Sequence, residues 1–181
     1  MSSEQTQVVV AYDFSHSAQA ALYRAVALAS RAPFHVLHFA CILDRADTER
    51  ADQMRDQLAS VIEQELRNAG TVGRVHFHIH VRISKHPAKE ILEVARGVGA
   101  DLIVVGSKGL TGLERVVLGS VSEQIVREAK CSVVIARPKD YPYVPLLDVV
   151  EVEAHPHQRP SHRYTYEDQR ATLRPTDWPM Y

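Results

Sequence analysis

Apolar residues in the first 137 positions follow two alternating patterns. Short, nearly continuous apolar and β-branched runs predict strands. Apolar positions recurring every three or four residues predict helices with one inward stripe. Gln7-Val8-Val9-Val10-Ala11-Tyr12 is the first such strand. A helix follows, with Ser15 or Ser17 as its cap and Ala18, Ala21, Leu22, Ala25, Val26 and Ala29 as its stripe. Pro33 stops it before a second strand, Phe34-His35-Val36-Leu37-His38-Phe39. From about Thr48 to Arg67, Met54, Leu58, Val61, Ile62 and Leu66 mark a long helix, ended by Asn68-Ala69-Gly70. The third strand, Arg74 to Val81, alternates as a strand with one exposed side does. Pro87 opens a short helix through Ile91, Leu92 and Ala95, closed by Gly97 and Gly99. Asp101-Leu102-Ile103-Val104-Val105 is the fourth strand, Ser120 to Lys130 the last helix, and Ser132-Val133-Val134-Ile135-Ala136 the fifth strand.

Strand–helix alternation of this kind predicts an α/β fold, a single doubly wound, Rossmann-like parallel sheet. Ligands of such sheets bind beyond the C-terminal strand ends, where the strand order reverses. The loops after strands one and four are therefore the natural pair. Asp13 lies in the first, and the second runs Gly106-Ser107-Lys108-Gly109-Leu110-Thr111-Gly112 onward to Gly119-Ser120. Glycine lets main chain approach a phosphate closely, and the unpaired N–H groups of a helix start point at negative charge. Two readings stand at this point: a nucleotide-phosphate cradle, or a flexible loop with a helix cap.

The loop lacks the Gly-Lys-Ser/Thr ending of a P-loop and follows the fourth strand, which argues against the usual ATPase engine. Asp13-Phe14-Ser15 stands where a dinucleotide fingerprint would need Gly-x-Gly-x-x-Gly, so a nicotinamide or flavin enzyme is not expected. No Ser-Gly-Gly-x-Asp-Ser loop marks an adenylating ligase or sulfurtransferase. Asp13-Phe14-Ser15 together with Gly106-x-x-Gly109-(nine residues)-Gly119-Ser120 instead resembles the ATP-binding branch of the universal stress protein family, over about residues 5–137. What this resemblance implies is an adenine-nucleotide-binding, usually cytoplasmic homodimer with strand order 3-2-1-4-5. On it, the main chain at Phe39 would hydrogen-bond the adenine edge. Asp13 would sit by the ribose or by a metal on the phosphates, and Gly106 would pack against the ribose. Gly109, Gly119, Ser120 and Val121 would line the phosphate channel. The implied cofactor is ATP, with any Mg or Mn ion coordinated mainly by the phosphates. One departure is Lys85-His86-Pro87, where family members commonly have Gly-x-Pro. A lysine there either reaches the phosphates or crowds the cleft.

Several of these residues have a second role open to them. Ser120 with Glu123 forms a capping box that works without ligand, and Asp13 can cap the helix that follows it. Lys108 and Arg115 either neutralise phosphate charge or stand in solvent. A hydrolase needs a base or metal aimed at water and stabilisation of the transferring phosphoryl group. Only Asp13 qualifies in the cleft, so slow turnover is the most that is expected. The leading expectation is an ATP-binding stress-response regulator, a nucleotide-dependent binding module or switch. A weak ATP hydrolase and a nucleotide-independent dimeric scaffold are the alternatives.

Composition narrows the picture further. The 21 basic and 22 acidic residues nearly cancel and form no dense basic block, which gives nucleic acid no electrostatic footprint. No apolar run approaches a membrane span, and Met1-Ser2-Ser3-Glu4-Gln5-Thr6-Gln7 does not read as a signal peptide, so a soluble, cytoplasmic protein is expected. Cys41 and Cys131 read as buried thiols, not a disulfide framework. His76, His78 and His80 share one strand face. They either bind metal or sense pH, or they form an ordinary solvated edge, which their parallel spacing of about 7 Å favours. The apolar fifth strand is a sticky edge; the resemblance covers it with a second subunit through Val133, Val134 and Ile135, and core burial inside one subunit is the alternative. Beyond about residue 138 lie seven of the nine prolines, five of the seven tyrosines and no glycine. Residues 1–137 therefore read as the domain and 138–181 as an extension outside the resemblance, its aromatic residues suited to wrapping the domain or a partner subunit.

Overall fold

Val8, Val9 and Val10 are all fully buried, because β1 (Thr6–Ala11) is the central strand of a five-stranded parallel sheet. A strand covered on both faces has no reason to alternate. The computed structural model describes residues 5–31, 35–44, 48–108 and 118–138. Around β1 lie β2 (His35–Leu43), β3 (His76–Ile83), β4 (Leu102–Gly106) and β5 (Ser132–Ala136), in the order β3-β2-β1-β4-β5. Helices α1 (His16–Arg31), α2 (Thr48–Asn68), α3 (Pro87–Val98) and α4 (Ser120–Glu128) alternate with them. This is the expected α/β architecture with strand order 3-2-1-4-5.

Residue parity divides the core in two. Val8, Val10, Tyr12, Leu37, Phe39 and Cys41 pack on the inward stripes of α1 and α2, among them Leu22, Val26, Leu58 and Ile62. Val9, Ala11, Ala40, Ile103 and Val105 pack on Ala88, Ile91 and Val94 of α3 and Ile125 of α4. The order reverses between β1 and β4.

Several boundaries differ from the pattern reading. β2 continues four residues past Phe39, because Ala40-Cys41-Ile42-Leu43 pair with His80 to Ile83 of β3. β3 begins at His76, since the Arg74 N–H is spent on a turn to the Thr71 carbonyl at 3.0 Å. α4 ends at Glu128, where Ala129 turns extended. Residues 1–140 form one unit and 141–181 another, and the expectations for the extension fall on residues outside those described. Among the described residues, no helix is long and apolar enough to cross a membrane.

Candidate functional site

The turn after β1 is built from polar side chains folded back on their own backbone. Asp13 Oδ1 accepts the Ser15 N–H at 3.0 Å, and Ser15 Oγ accepts the Ala18 N–H at 3.1 Å. Ser15, not Ser17, is therefore the residue that caps α1. Between them Phe14 takes φ 61°, a left-handed conformation that costs a non-glycine residue roughly 1 kcal/mol. Its ring packs edge-on against Tyr12 at 5.0 Å. Tyr12 in turn donates to Gln19 Oε1 at 2.8 Å. Asp13 thus serves the turn and lines the neighbouring cleft at once.

After β4 the chain passes through three linked contacts. The Ser107 N–H reaches the Ala136 carbonyl at 3.0 Å, extending the β4–β5 ladder. The Gly119 N–H reaches the Ser107 carbonyl at 2.8 Å, so the start and end of the glycine loop meet. Ser122 Oγ donates to the Gly106 carbonyl at 2.6 Å in a buried contact. Gly106 has a further reason to be glycine: an added Cβ would stand 2.6 Å from the Ser17 backbone carbonyl carbon and oxygen. The close approach is made by α1, so the site's geometry depends on it with or without ligand.

Gly119 is the N-cap of α4, in extended conformation, and offers no side-chain cap. The expected capping box of Ser120 and Glu123 does not form. Ser120 is already the first helical residue, exposed, and the Glu123 N–H makes an ordinary helical bond to the Gly119 carbonyl at 2.8 Å. The Glu123 carboxylate faces Arg127 at 3.9 Å instead. Ser122 was missed by the pattern reading. In a helix, serines two apart point to nearly opposite sides, so one of the Ser-Val-Ser pair had to face inward.

Between these two loops lies a cleft of about 340 Å³. Its floor is made of small side chains, Ala11 and Ala40, with Ala18 from α1; Ile42, Val105, Pro87 and Ile91 supply apolar walls. Asp13, Lys108, Ser120 and Ser122 supply its polar side chains, and Gly106, Gly119 and Val121 also line it. Five of the expected site residues, Asp13, Gly106, Gly119, Ser120 and Val121, are thereby brought together. Phe39 is not among them. It sits mid-strand, 0 % exposed, with its ring on the opposite sheet face against Phe77. Ala40 and Ile42 of the same strand line the cleft in its place. Gly109 and Arg115 lie outside the described residues. Lys85 is exposed and does not line the cleft, whereas Pro87, the first residue of α3, does.

The histidines of β3 have a partner the pattern reading overlooked. His76 and His78 are exposed, but His80 Nε2 stands 3.1 Å from Nδ1 of His38 on β2, a residue only 7 % exposed. His38 Nε2 meets Gln7 Oε1 at 2.8 Å, and its ring stacks on His78 at 5.1 Å. Burial, then the His80 and His78 imidazoles, push His38 down to about 4. Burial, then Arg82 and His78, lower His80 as well. The pairing follows from the register His38↔His78 and Ala40↔His80, which no reading of one strand at a time supplies. Among the described residues no group of three or more His, Cys, Asp or Glu is arranged to hold a metal. Cys41 is buried and Cys131 half-buried, both free. Burial and then Asp13 raise the Cys41 thiol to about 11.

The sequence profile of the universal stress protein family matches residues 5–137. A Staphylococcus epidermidis protein bearing that family's name is 32% identical over 147 residues, covering 75% of this chain and 86% of its own. Among solved structures, the universal stress protein UspA from Lactobacillus plantarum matches with a TM-score of 0.62 at 25% identity, over 75% of this chain and 99% of its own. A universal stress protein solved in complex with cAMP matches with a TM-score of 0.54 at 26% identity, over 75% and 98% of the two chains.

Proposed function

The chain belongs to the universal stress protein family, and from that premise we propose that it binds an adenine nucleotide, ATP, as a regulatory binding module. The observation that carries the proposal is the joining of two opposite chemistries in one cleft. The end with Gly119, Ser120 and Val121 is a helix start whose cap has no side chain. Its N–H groups and the helix dipole suit an anion, and Lys108 adds a positive charge. The end with Ala11, Ala40, Ile42 and Ile91 is apolar and suits a planar base. The volume falls in the range of about 300–1,000 Å³ usual for small-molecule sites. That a family neighbour was solved with cAMP supports an adenine nucleotide as the occupant.

Asp13 is the one carboxylate among the described lining residues. With Oδ1 on the Ser15 N–H, its other oxygen is the group that would face a ribose hydroxyl or a Mg or Mn ion held mainly by the phosphates. A lone carboxylate suits holding the nucleotide better than efficient hydrolysis. β5 is a sheet edge whose Val133, Val134 and Ile135 are only half-buried, which suits two-fold pairing with a second copy through that strand.

The test is the small-molecule content of gently purified, then denatured protein, read by mass spectrometry beside Gly119→Val. Gly119 has φ −71° and ψ 153°, open to any residue, so the variant fills space near the anion end without straining the backbone. Near-stoichiometric ATP in the wild type and none in the variant is expected. Co-purified ADP would point to turnover. Empty protein that takes up no added nucleotide would overturn the proposal.

A further inference from the structure

One corner of the cleft is held by titratable side chains. Ala40 and Ile42 line the cleft, and their register partners on β3 are His80 and Arg82. All four share one sheet face, as residues two apart on a strand do. His80 is bonded to His38, two residues before Ala40. Arg82 pairs with Glu90 of α3 at 3.2 Å, and α3 carries Pro87 and Ile91 into the cleft wall. The joint between β3, β2 and α3 on this side therefore runs through His38–His80 and Arg82–Glu90.

Gln7 determines where the protons lie. Its Nε2 donates to the Gln5 carbonyl at 3.1 Å, so Oε1 is the atom turned to His38. His38 must then carry its hydrogen on Nε2 and accept at Nδ1, and His80 must donate from Nε2. A first added proton enters at His80 Nδ1 and breaks none of these bonds. A second must enter at His38 Nδ1, where two N–H groups would face each other across 3.1 Å.

We propose that the Gln7–His38–His80 relay is an acid-sensitive prop for the cleft, tolerating one proton and parting on the second, so that acid weakens ligand binding. The proposal rests on the nucleotide reading of that cleft. The groups facing the pair sharpen its response. From β3 come His76, His78 and Arg82; from α3 comes Glu90, already engaged by Arg82. From β1 comes uncharged Gln7, whose backbone N–H is held by Asp101 at 2.8 Å. Both imidazoles are held below the ordinary histidine range, His38 at about 4. Such groups add stability above about pH 6.5 that is lost as pH falls towards the folded value, because the unfolded chain then binds more protons.

ATP titrations of the full chain at pH 7 and about pH 3, well below the His38 value of about 4, in wild type and His80→Gln, test this. The glutamine amide donates to His38 Nδ1 as His80 does, and it can turn to accept when His38 is protonated. Wild type is expected to lose affinity about tenfold in acid, and the variant less than about threefold. Equal losses in both proteins would assign the effect to the phosphates or Asp13 and overturn the relay. If neither protein binds ATP at pH 7, the nucleotide reading fails and with it the coupling to the cleft. Imidazole nitrogen shifts of His38 then judge the relay itself: titration near 4 upholds it, and titration near 6.5 overturns it.

Discussion

The two faces of the sheet are both apolar, yet one is sealed and the other opens into a cleft. On the α1–α2 face the alternate residues of β2 are Leu37, Phe39, Cys41 and Leu43, packed on α1 and α2 stripes that include Leu22, Leu58 and Ile62. On the α3–α4 face Ala40 and Ile42 are met by Ala88 and Ala95 as well as Ile91 and Val94. Polarity alone does not separate the faces near the strand ends; side-chain volume does. Alanines at 11 and 40 leave space where strand order reverses, and the loops on either side bring in the polar groups.

Neighbouring residues of β2 put that difference to its hardest test. Phe39→Ala removes a ring from a fully buried site and is expected to cost about 3–5 kcal/mol in urea unfolding, with ATP affinity of the folded fraction little changed. Ala40→Leu adds volume on the open side. It is expected to cost about 1–3 kcal/mol, less than Phe39→Ala, while abolishing ATP uptake. Should Phe39→Ala spare stability, or Ala40→Leu spare uptake, the division into a sealed and an open face would be wrong.

A smaller effect is expected where the two faces meet. Gly106 ends β4 beside the cleft, but the atoms an added methyl would strike belong to Ser17 at the start of α1. Backbone of a helix yields less readily than a side-chain tip, so Gly106→Ala is expected to cost about 1–3 kcal/mol by thermal unfolding. Loss of nucleotide uptake without loss of stability would instead assign this glycine to the ligand alone.

What the sequence makes legible follows the same physics. Continuous runs such as Val8-Val9-Val10 and the Leu58–Ile62–Leu66 stripe declare strand and helix, because burial acts on each residue in its own element. Asp13 and the glycines at 106 and 119 were legible as a cleft because topology alone brings those loops together. The rest depended on contacts between elements. The pattern ends the second strand at Phe39, but pairing with β3 carries it to Leu43. Ser120 has the chemistry of a cap, but it is the first helical residue, and the cap position falls one residue earlier, at Gly119. His38 and Ser122 acquire partners only once register and helix docking are known.

Asp13 yields the smallest expected change in stability, and it separates the site from the scaffold. Its Oδ1 closes the turn on the Ser15 N–H, a bond that an asparagine carbonyl makes equally well. Asp13→Asn therefore keeps the turn and loses only a negative charge near the start of α1, worth about 0.3–1 kcal/mol. Thermal unfolding should scarcely move. The carboxylate facing a ribose or a phosphate-bound metal is a different matter, because charge is what either contact uses. ATP affinity is expected to fall about tenfold, roughly the worth of one charge-assisted hydrogen bond, and to fall further with Mg present if the metal is the partner. Unchanged affinity in Asp13→Asn, beside a destabilised Asp13→Ala, would leave this residue as part of the turn, and the anion end of the cleft would then bind without it.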